Sequence, residues 1–598
     1  KTIGNKLVQH SVARETPYKY DFHLLADDRT INAFALPGGQ VFMSSNQALV
    51  RLPLDQARRD KAAGLKTAGY IAGYRGSPLG VYDSALWGAQ KFLDQHHIVF
   101  RPGLNEELAI SAIRGTQQLK WFGKSAFEGI FGLWYGKGIG VDRACESIKL
   151  GNFEGASANG GFLVIAGDDH GGKSSDSAHQ SEHTLMAAMT PILYPATIGE
   201  IIEFGLFGIA MSRYSGCYVG LKTITDTLDL TGCVELPDPY RTYTTPTDII
   251  IPDEGLNLRE NLPPLVEEEW LVNHRLPAAT AFARANGIDR VIFDGEHKTL
   301  SIVSAGKAYL DVRQALADLG LDEETCNRLG IRLYKPGLIW PMDREGLNNF
   351  AKGSQAVLVV EEKRPVMEDQ IARHLYGLTA GDRPTLAGKQ DLNGNALLSA
   401  IGELSVGSVR RAIKTLMDQL DIHDARTDSR YNAFNELETR AKTFGSNAIR
   451  PAYFCSGCPH NTSTRLPEGS RAMGGIGCHG LAAVVMDRDT MQFVPMGHEG
   501  SPWVSVGQFV DTPHMFQNMG DGTYSHSGVL AIRAAVAAKA NITYKVLYND
   551  AVAMTGGQPV EQQISPIDMV NQLLSEGVKP VYLVSDSPEQ YANLSLPA

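Results

Sequence analysis

Toward the carboxyl end, the stretch "MGDGTYSHSGVLAIRAAVAAKANITYKVLYNDAVAMTGGQ" places Asp521 between Gly520 and Gly522, and 26 residues separate Gly522 from Asn549. Asp and Asn offer hard oxygen donors, and glycines let backbone N–H groups approach an anion, so the set suits Mg²⁺ bridging a diphosphate. The tripeptide alone reads equally well as a β/α turn with a capping aspartate. A second group comes from "CSGCPH" and "GGIGCHG": Cys455 and Cys458 form a C-x2-C pair, and 19 residues separate Cys458 from Cys478. Thiolates at this spacing suit zinc or an iron–sulfur cluster, with His460 or His479 available to complete a zinc site. Unligated core cysteines are the plain alternative. "GDDHGGKSSDSAHQSEH" packs Asp168, Asp169, His170, Lys173, Ser174, Ser175, His179 and Glu182 behind an apolar run, as a substrate or acceptor contact or as a solvated loop. His498 in "MGHEG" is a substrate contact or a satisfied structural histidine. "GKGIG", Gly136 to Gly140, lacks a full G-x-G-x-x-G and a ribose-binding acid, and reads as a glycine turn.

The elements around Asp521 and Asn549 must bring them together. "HMFQNM" predicts a strand ending at Gly520, a helix follows from about Ser525 to Ala540 with Val529, Ile532 and Val536 on one face, and "ITYKVLY" predicts the next strand. About 16 helical residues cover ~24 Å and about 7 strand residues ~23 Å. The chain therefore returns by the length it travelled, which sets both residues at the carboxyl ends of adjacent parallel strands, where open α/β sheets bind ligands.

Between about Gln40 and Arg241, runs such as "KTAGYIAGY", "FEGIFGLWYG" and "GGFLVIAGDD" alternate with helical segments. That alternation predicts an α/β fold with a doubly wound, mostly parallel sheet. The expected division is an α/β domain over 1–245, a Pro- and Asp-rich linker with a helical segment over 246–289, a smaller α/β domain over 290–397, a helical connector over 398–450 and a further α/β domain over 451–598. Length alone gives a prior of about four domains.

Composition narrows the function classes. The 598 residues are 43% hydrophobic and 20% charged, with a net charge of -11 and a mean hydropathy of -0.15, which describes a folded, water-soluble chain. No basic stripe suggests nucleic acid. No run approaches the ~20 apolar residues of a membrane span. The opening residues carry no apolar leader, so the cytoplasm is the expected compartment. Seven cysteines, an odd and sparse set, do not make a disulfide framework. Lys1 is not a methionine, and a longer parent chain is expected.

GDG-x26-N resembles the thiamine diphosphate motif, in which the metal is held by the Asp, the Asn and a main-chain carbonyl two residues further on, here that of Ala551. With the cysteine trio upstream it is similar to the 2-oxoacid:ferredoxin oxidoreductases. "AGYRGSPLG", "RPGLNEELA", "WYGKGIGVDR", "AGDDHGGKSSDSAHQSEH", "RYSGCYVG", "CSGCPHNTSTRLPEGSRAMGGIGCHG" and the opening stretch resemble the indolepyruvate:ferredoxin oxidoreductase family, from about Gln40 to the end. The resemblance implies two thiamine-diphosphate-binding domains: a pyrimidine-binding type over 1–245 and a diphosphate-binding type over 451–598. The small domain between them is implied to be like the transketolase C-terminal domain.

It also implies roles. Glu106 in "NEELA" matches the glutamate that shares a proton with N1′ of thiamine, favouring the imino tautomer that deprotonates the thiazolium. The plain alternative is an acid in a helix's first turn. Ser77 in "RGSP" matches a small hydroxyl residue over the active site. Cys455, Cys458 and Cys478 match three ligands of a 4Fe-4S cluster whose fourth ligand this sequence does not supply by a later cysteine. The implied reaction is oxidative decarboxylation of a 2-oxoacid, an arylpyruvate such as indolepyruvate, to the acyl-CoA with electrons passed to ferredoxin. The rivals are a non-oxidative thiamine-dependent decarboxylase and a non-catalytic cofactor-binding scaffold. The implied partners are coenzyme A, ferredoxin and an acceptor subunit or C-terminal domain with further ferredoxin-like clusters outside this chain. A homodimer or larger assembly is expected.

Overall fold

The computed structural model describes residues 33–36, 38–444, 452–484, 486, 488–491, 493–562 and 564–591. The chain divides into two compact units, one over Leu25–Asn447 and one built on Ala448–Ala598. The multidomain α/β class expected from the sequence is what is observed.

Apolar runs set the first sheet of the larger unit. Every residue of the strands Phe162–Asp168 and Val219–Ile224 is buried, as strands covered on both faces by crossover helices require. Seven strands stand in the order Leu338–Trp340, Ile192–Leu193, Val219–Ile224, Phe162–Asp168, Gly129–Lys137, Thr67–Gly73, Ile98–Phe100. All neighbours pair in parallel except the first two, which are antiparallel. From Thr67–Gly73 the chain crosses outward to Ile98–Phe100 and then returns to Gly129–Lys137 on the other side. That reversal creates a switch point between Thr67–Gly73 and Gly129–Lys137, the crevice in which doubly wound sheets take ligands.

A second sheet in this unit has the order Thr385–Ala387, Ala356–Val360, Leu300–Ser304, Ile331–Lys335, Arg290–Phe293, with only the last strand antiparallel. The two sheets share apolar packing, with Ala166 and Tyr194 in one buried cluster with Tyr334 and Val357. They also share a buried chain of charges. Glu362 receives His170 Nδ1 at 2.6 Å, Lys307 Nζ at 2.8 Å and the Leu404 N–H at 2.9 Å. Lys222 Nζ lies 3.1 Å from His170 Nε2, pairs with Glu182 and stands 3.6 Å from Asp168.

This chain predicts a pH effect. Burial pushes the Glu362 carboxyl up, but the His170 hydrogen bond and the charges of His170 and Lys307 prevail and hold it down to about 2. A folded value below the ordinary one gives stability that is full above about pH 4.5 and lost as pH falls from there toward 2. Glu362→Gln should cost about 3–5 kcal/mol at pH 7, as one member of a buried ion chain is removed. In denaturant titrations the gap between variant and wild type should close between pH 4.5 and 2. A gap independent of pH would mean that the carboxylate charge is not what holds the junction.

The smaller unit carries four parallel strands in the order Thr490–Met491, Ala472–Met473, Met515–Gly520, Ile542–Leu547. The helix expected from Ser525 begins instead at Asp521, widens into a π turn at Tyr524–Gly528 and runs on as Val529–Ala537. It starts early because the Asp521 carboxylate satisfies the Gly522 N–H at 3.0 Å, one of the open donors of a first turn. It stops early because Lys539 turns to a φ of 53°.

Candidate active site

In the larger unit, Glu106 opens the helix Glu106–Gln117, which Asn105 caps by accepting the Leu108 N–H at 2.9 Å. A first-turn anion is favoured by the helix dipole, so the plain alternative describes its position correctly. Its surroundings add more. Glu106 is buried at the carboxyl edge of the sheet, its carbonyl accepts Trp134 Nε1–H at 3.1 Å, and its side chain lies on the backbone of Gly140. A Cβ at Gly140 would stand 2.8 Å from Glu106 Cγ, and one at Gly138 would stand 2.3 Å from His179 Nδ1. Gly138 and Gly140 of "GKGIG", which reads as an ordinary turn in the sequence, are thus the bare first helical turn on which His179 and Glu106 rest, while Gly136 lies in the preceding strand.

Ser77 sits in the loop after Thr67–Gly73, half-buried, with its Oγ 2.8 Å from Ser174 Oγ. The polar loop holding Ser174 is built rather than merely solvated. Asp169 accepts the N–H groups of Lys173 and Ser174 at 3.0 and 2.7 Å, and Asp168 accepts that of Ser181 at 2.9 Å. Against the push of burial, these donors hold the Asp169 carboxyl below the usual range.

In the smaller unit, Gly520 pairs with Leu547 in parallel register, and just beyond that pair Asp521 Oδ2 accepts the N–H groups of Asn549 at 3.0 Å and Asp550 at 2.6 Å. Asp550 takes a φ of 53°, and at this turn its N–H and that of Asn549 both reach one carboxylate oxygen. Asn549 Oδ1 accepts the Ala551 N–H at 3.2 Å. Burial raises the Asp521 carboxyl despite these donors, and no cation is among the groups that shift it. A buried carboxylate with spare lone pairs, next to an exposed amide oxygen and the backbone of Ala551, can take a divalent cation with oxygen ligands.

Orphaned polar atoms mark the same strand end. Asn518 is fully buried with neither amide atom hydrogen-bonded, and His479 Nε2 is buried without a partner. Burial, then the neighbouring His460, pushes the His479 imidazole down to about 4, so the ring is neutral at pH 7. It packs against Gly475, Gly477 and Gly520. Unpaired buried groups each cost about 1–3 kcal/mol, which a bound polar ligand would offset.

His498 is placed differently from a buried substrate contact: it is exposed, while the next residue, Glu499, is fully buried and accepts the Gly497 N–H at 2.7 Å. Gly497 and Gly500, at φ of 86° and 89°, pack on Ser527 and Tyr544 inside the unit. Sequence reading passed over Glu499 and Asn518. A buried acid and a buried amide differ from exposed ones only through tertiary contacts.

Cys455 and Cys458 form a tight turn, with the Cys458 N–H donating to the Cys455 carbonyl at 3.0 Å. Cys478 is half-buried, and burial followed by the charges of Cys458 and Cys455 pushes its thiol up. Among the described residues no group of three His, Cys, Asp or Glu side chains is spaced to hold a metal ion. The cysteine trio of the sequence is therefore not assembled as a metal site among these residues. The oxygen set at Asp521 escapes that description because it offers one carboxylate, one amide and one carbonyl.

Fold and sites together define a multidomain α/β protein whose ligand-type residues gather at the carboxyl edges of parallel sheets. No helix among the described residues is long and apolar enough to cross a membrane. A family model described as the indolepyruvate ferredoxin oxidoreductase middle domain matches residues 289–441. The indolepyruvate oxidoreductase subunit IorA of Methanothermobacter thermautotrophicus is 25% identical over 543 residues, covering 88% of this chain and 77% of its own. The IorA subunit of Thermococcus kodakarensis is 24% identical over 554 residues, with 88% and 76% covered. Among solved structures, the 2-oxoglutarate:ferredoxin oxidoreductase of Magnetococcus marinus aligns at 14% identity and a TM-score of 0.45, over 64% of this chain and 66% of that one. A split-gene transketolase aligns at 15% identity and a TM-score of 0.40, over 63% and 98%. The chain is thus similar along most of its length to indolepyruvate oxidoreductase subunits, and its residues 289–441 match the middle domain of that family.

Proposed function

We propose that this chain is the thiamine-diphosphate-binding subunit of an enzyme that oxidatively decarboxylates a 2-oxoacid, with an arylpyruvate such as indolepyruvate as substrate. The 2-oxoacid carboxylate leaves as CO₂, the acyl carbon passes to the sulfur of coenzyme A as its thiol proton is released, and two electrons leave singly to ferredoxin. The observation that carries the reading is the buried Asp521 carboxylate, shifted by no cation and clasped by the N–H groups of Asn549 and Asp550.

When bound, thiamine diphosphate supplies a nucleophilic carbon and takes up the electron pair left by CO₂. Asp521, Asn549 and the Ala551 carbonyl would hold Mg²⁺ on its diphosphate. Glu106 would share a proton with the pyrimidine N1′, and its burial keeps water from competing for that proton. Ser77 would lie over the reacting centre, and the exposed His498 would contact the substrate. Cys455, Cys458 and Cys478 are the proposed ligands of a 4Fe-4S cluster, and substituting any one by Ser should lower the iron and sulfide content of anaerobically purified protein. The relatives are named as subunits, and a partner subunit completes the assembly in this reading.

Gly140→Ala tests the positioning of Glu106. The added methyl would stand 2.8 Å from Glu106 Cγ and displace the carboxyl, so kcat should fall by about 100-fold with little change in melting temperature. Unchanged kcat would remove Glu106 from the site. Product analysis tests the reaction: one CO₂, one acyl-CoA and two reduced dye equivalents are expected per arylpyruvate consumed. Aldehyde formed without dye reduction would make the enzyme a non-oxidative decarboxylase.

A further inference from the structure

Three segments meet at the switch point of the seven-stranded sheet: the loops 74–79 and 169–181 and the strand-to-helix junction 137–140. Lys137 stands at their centre as the last residue of Gly129–Lys137. Its stem covers Gly76, and its Nζ donates to the Ser174 carbonyl at 2.8 Å, beside the Ser77 and Ser174 hydroxyls. Of the neighbouring cations, Arg75 pairs with Asp83, Arg143 with Glu107, Lys173 with Glu403 and Lys222 with Glu182, while Lys363 donates to the His170 carbonyl and Arg364 to the Gln180 side chain. Among the described residues Lys137 has no ion pair, and an ammonium with one carbonyl partner keeps two donors in hand. Burial depresses its basicity, while Asp176, Asp169 and Glu106 oppose the shift from a distance.

Two further features point the same way. The 17-residue helix Gly138–Glu154 begins immediately after Lys137 with no side-chain cap, so its first N–H groups and dipole face the same edge. His179 is more than nine-tenths buried, with Nε2 3.4 Å from Asp142 and Nδ1 unpartnered against Gly138 at that helix start. A cation, an uncapped helix start and an unpaired imidazole nitrogen make an anion seat.

We propose that Lys137, with the N-terminus of helix Gly138–Glu154 and His179 Nδ1, seats the carboxylate of the 2-oxoacid. This rests on the function proposed above and deepens it.

The test uses the full chain assembled with its partner subunit, in wild-type form and as Lys137→Met, Lys137→Gln and Lys137→Arg. Calorimetry compares an arylpropionate, which has the carboxylate but no ketone, with its neutral amide. Wild type should prefer the carboxylate by about 30-fold, the weight of one charge-assisted hydrogen bond. Met and Gln should abolish the preference and raise KM for the arylpyruvate by a similar factor, with kcat nearly unchanged, and Arg should keep most of both. Two neutral variants guard against one that fails to fold, and melting curves check each. A carboxylate preference that survives in a folded Met or Gln variant, or is missing in wild type, overturns the seat. If that happens while arylpyruvate turnover persists, the proposed function stands. If the preference is present and Lys137-dependent but no 2-oxoacid is turned over, the seat stands and the proposed function falls.

Discussion

Glu106→Gln should lower kcat for arylpyruvate oxidation by about 10²- to 10⁴-fold, the range that a positioned proton-transfer group contributes. Glutamine has nearly the same shape, so the packing on Gly140 and the Asn105 cap remain. The amide can still donate or accept a hydrogen bond but cannot exchange the proton on which the pyrimidine's tautomer depends. Binding of thiamine diphosphate should change by less than about 10-fold, because most of the affinity is expected from the diphosphate end. Equal losses in binding and in kcat would assign Glu106 a structural part only.

Asp521→Asn should act on binding. Wild-type chain should melt higher when Mg²⁺ and thiamine diphosphate are added together, since a ligand at 100 times its Kd adds about 2.7 kcal/mol. The variant loses the charge that faces the metal while Oδ1 still accepts a backbone N–H. The metal-dependent shift should disappear and the dissociation constant rise by at least about 100-fold. A variant that kept the shift would place the metal elsewhere. The two variants separate the two chemistries: one loses turnover with the cofactor bound, the other loses the cofactor.

The Asp521–Asn549 pairing was legible in the sequence because it depends on counting. A helix and a strand of matched length return the chain to its starting edge, and neither packing detail nor distant residues enter. The β/α alternation was legible for a related reason: strands buried on both faces must be continuously apolar, as "FLVIAG" is. Glu106 was legible only through resemblance, since an acid in a helix's first turn carries no signal by itself. What makes it distinctive is Gly140 beneath it, a contact between residues on different elements.

His498 and Glu499 show where local reading stops. Two left-handed glycines turn "MGHEG" so that the acid points inward and the histidine outward, and neither propensity nor spacing fixes that choice. The unpaired Asn518, the neutral His479 and uncommitted Lys137 are likewise properties of what surrounds a side chain. Edge strand Leu338–Trp340 joins the first sheet from more than 140 residues beyond its partner Ile192–Leu193, a pairing that no window of sequence contains.

The most direct test of the central claim is anaerobic reduction of a viologen dye by the chain and its partner subunit, freed of thiamine diphosphate and Mg²⁺ with their iron–sulfur content intact, with arylpyruvate and coenzyme A. Dye reduction should appear only when thiamine diphosphate and Mg²⁺ are both restored, and should fail with either alone. Full activity in the absence of both, or no reduction with any 2-oxoacid when both are present, would contradict the account.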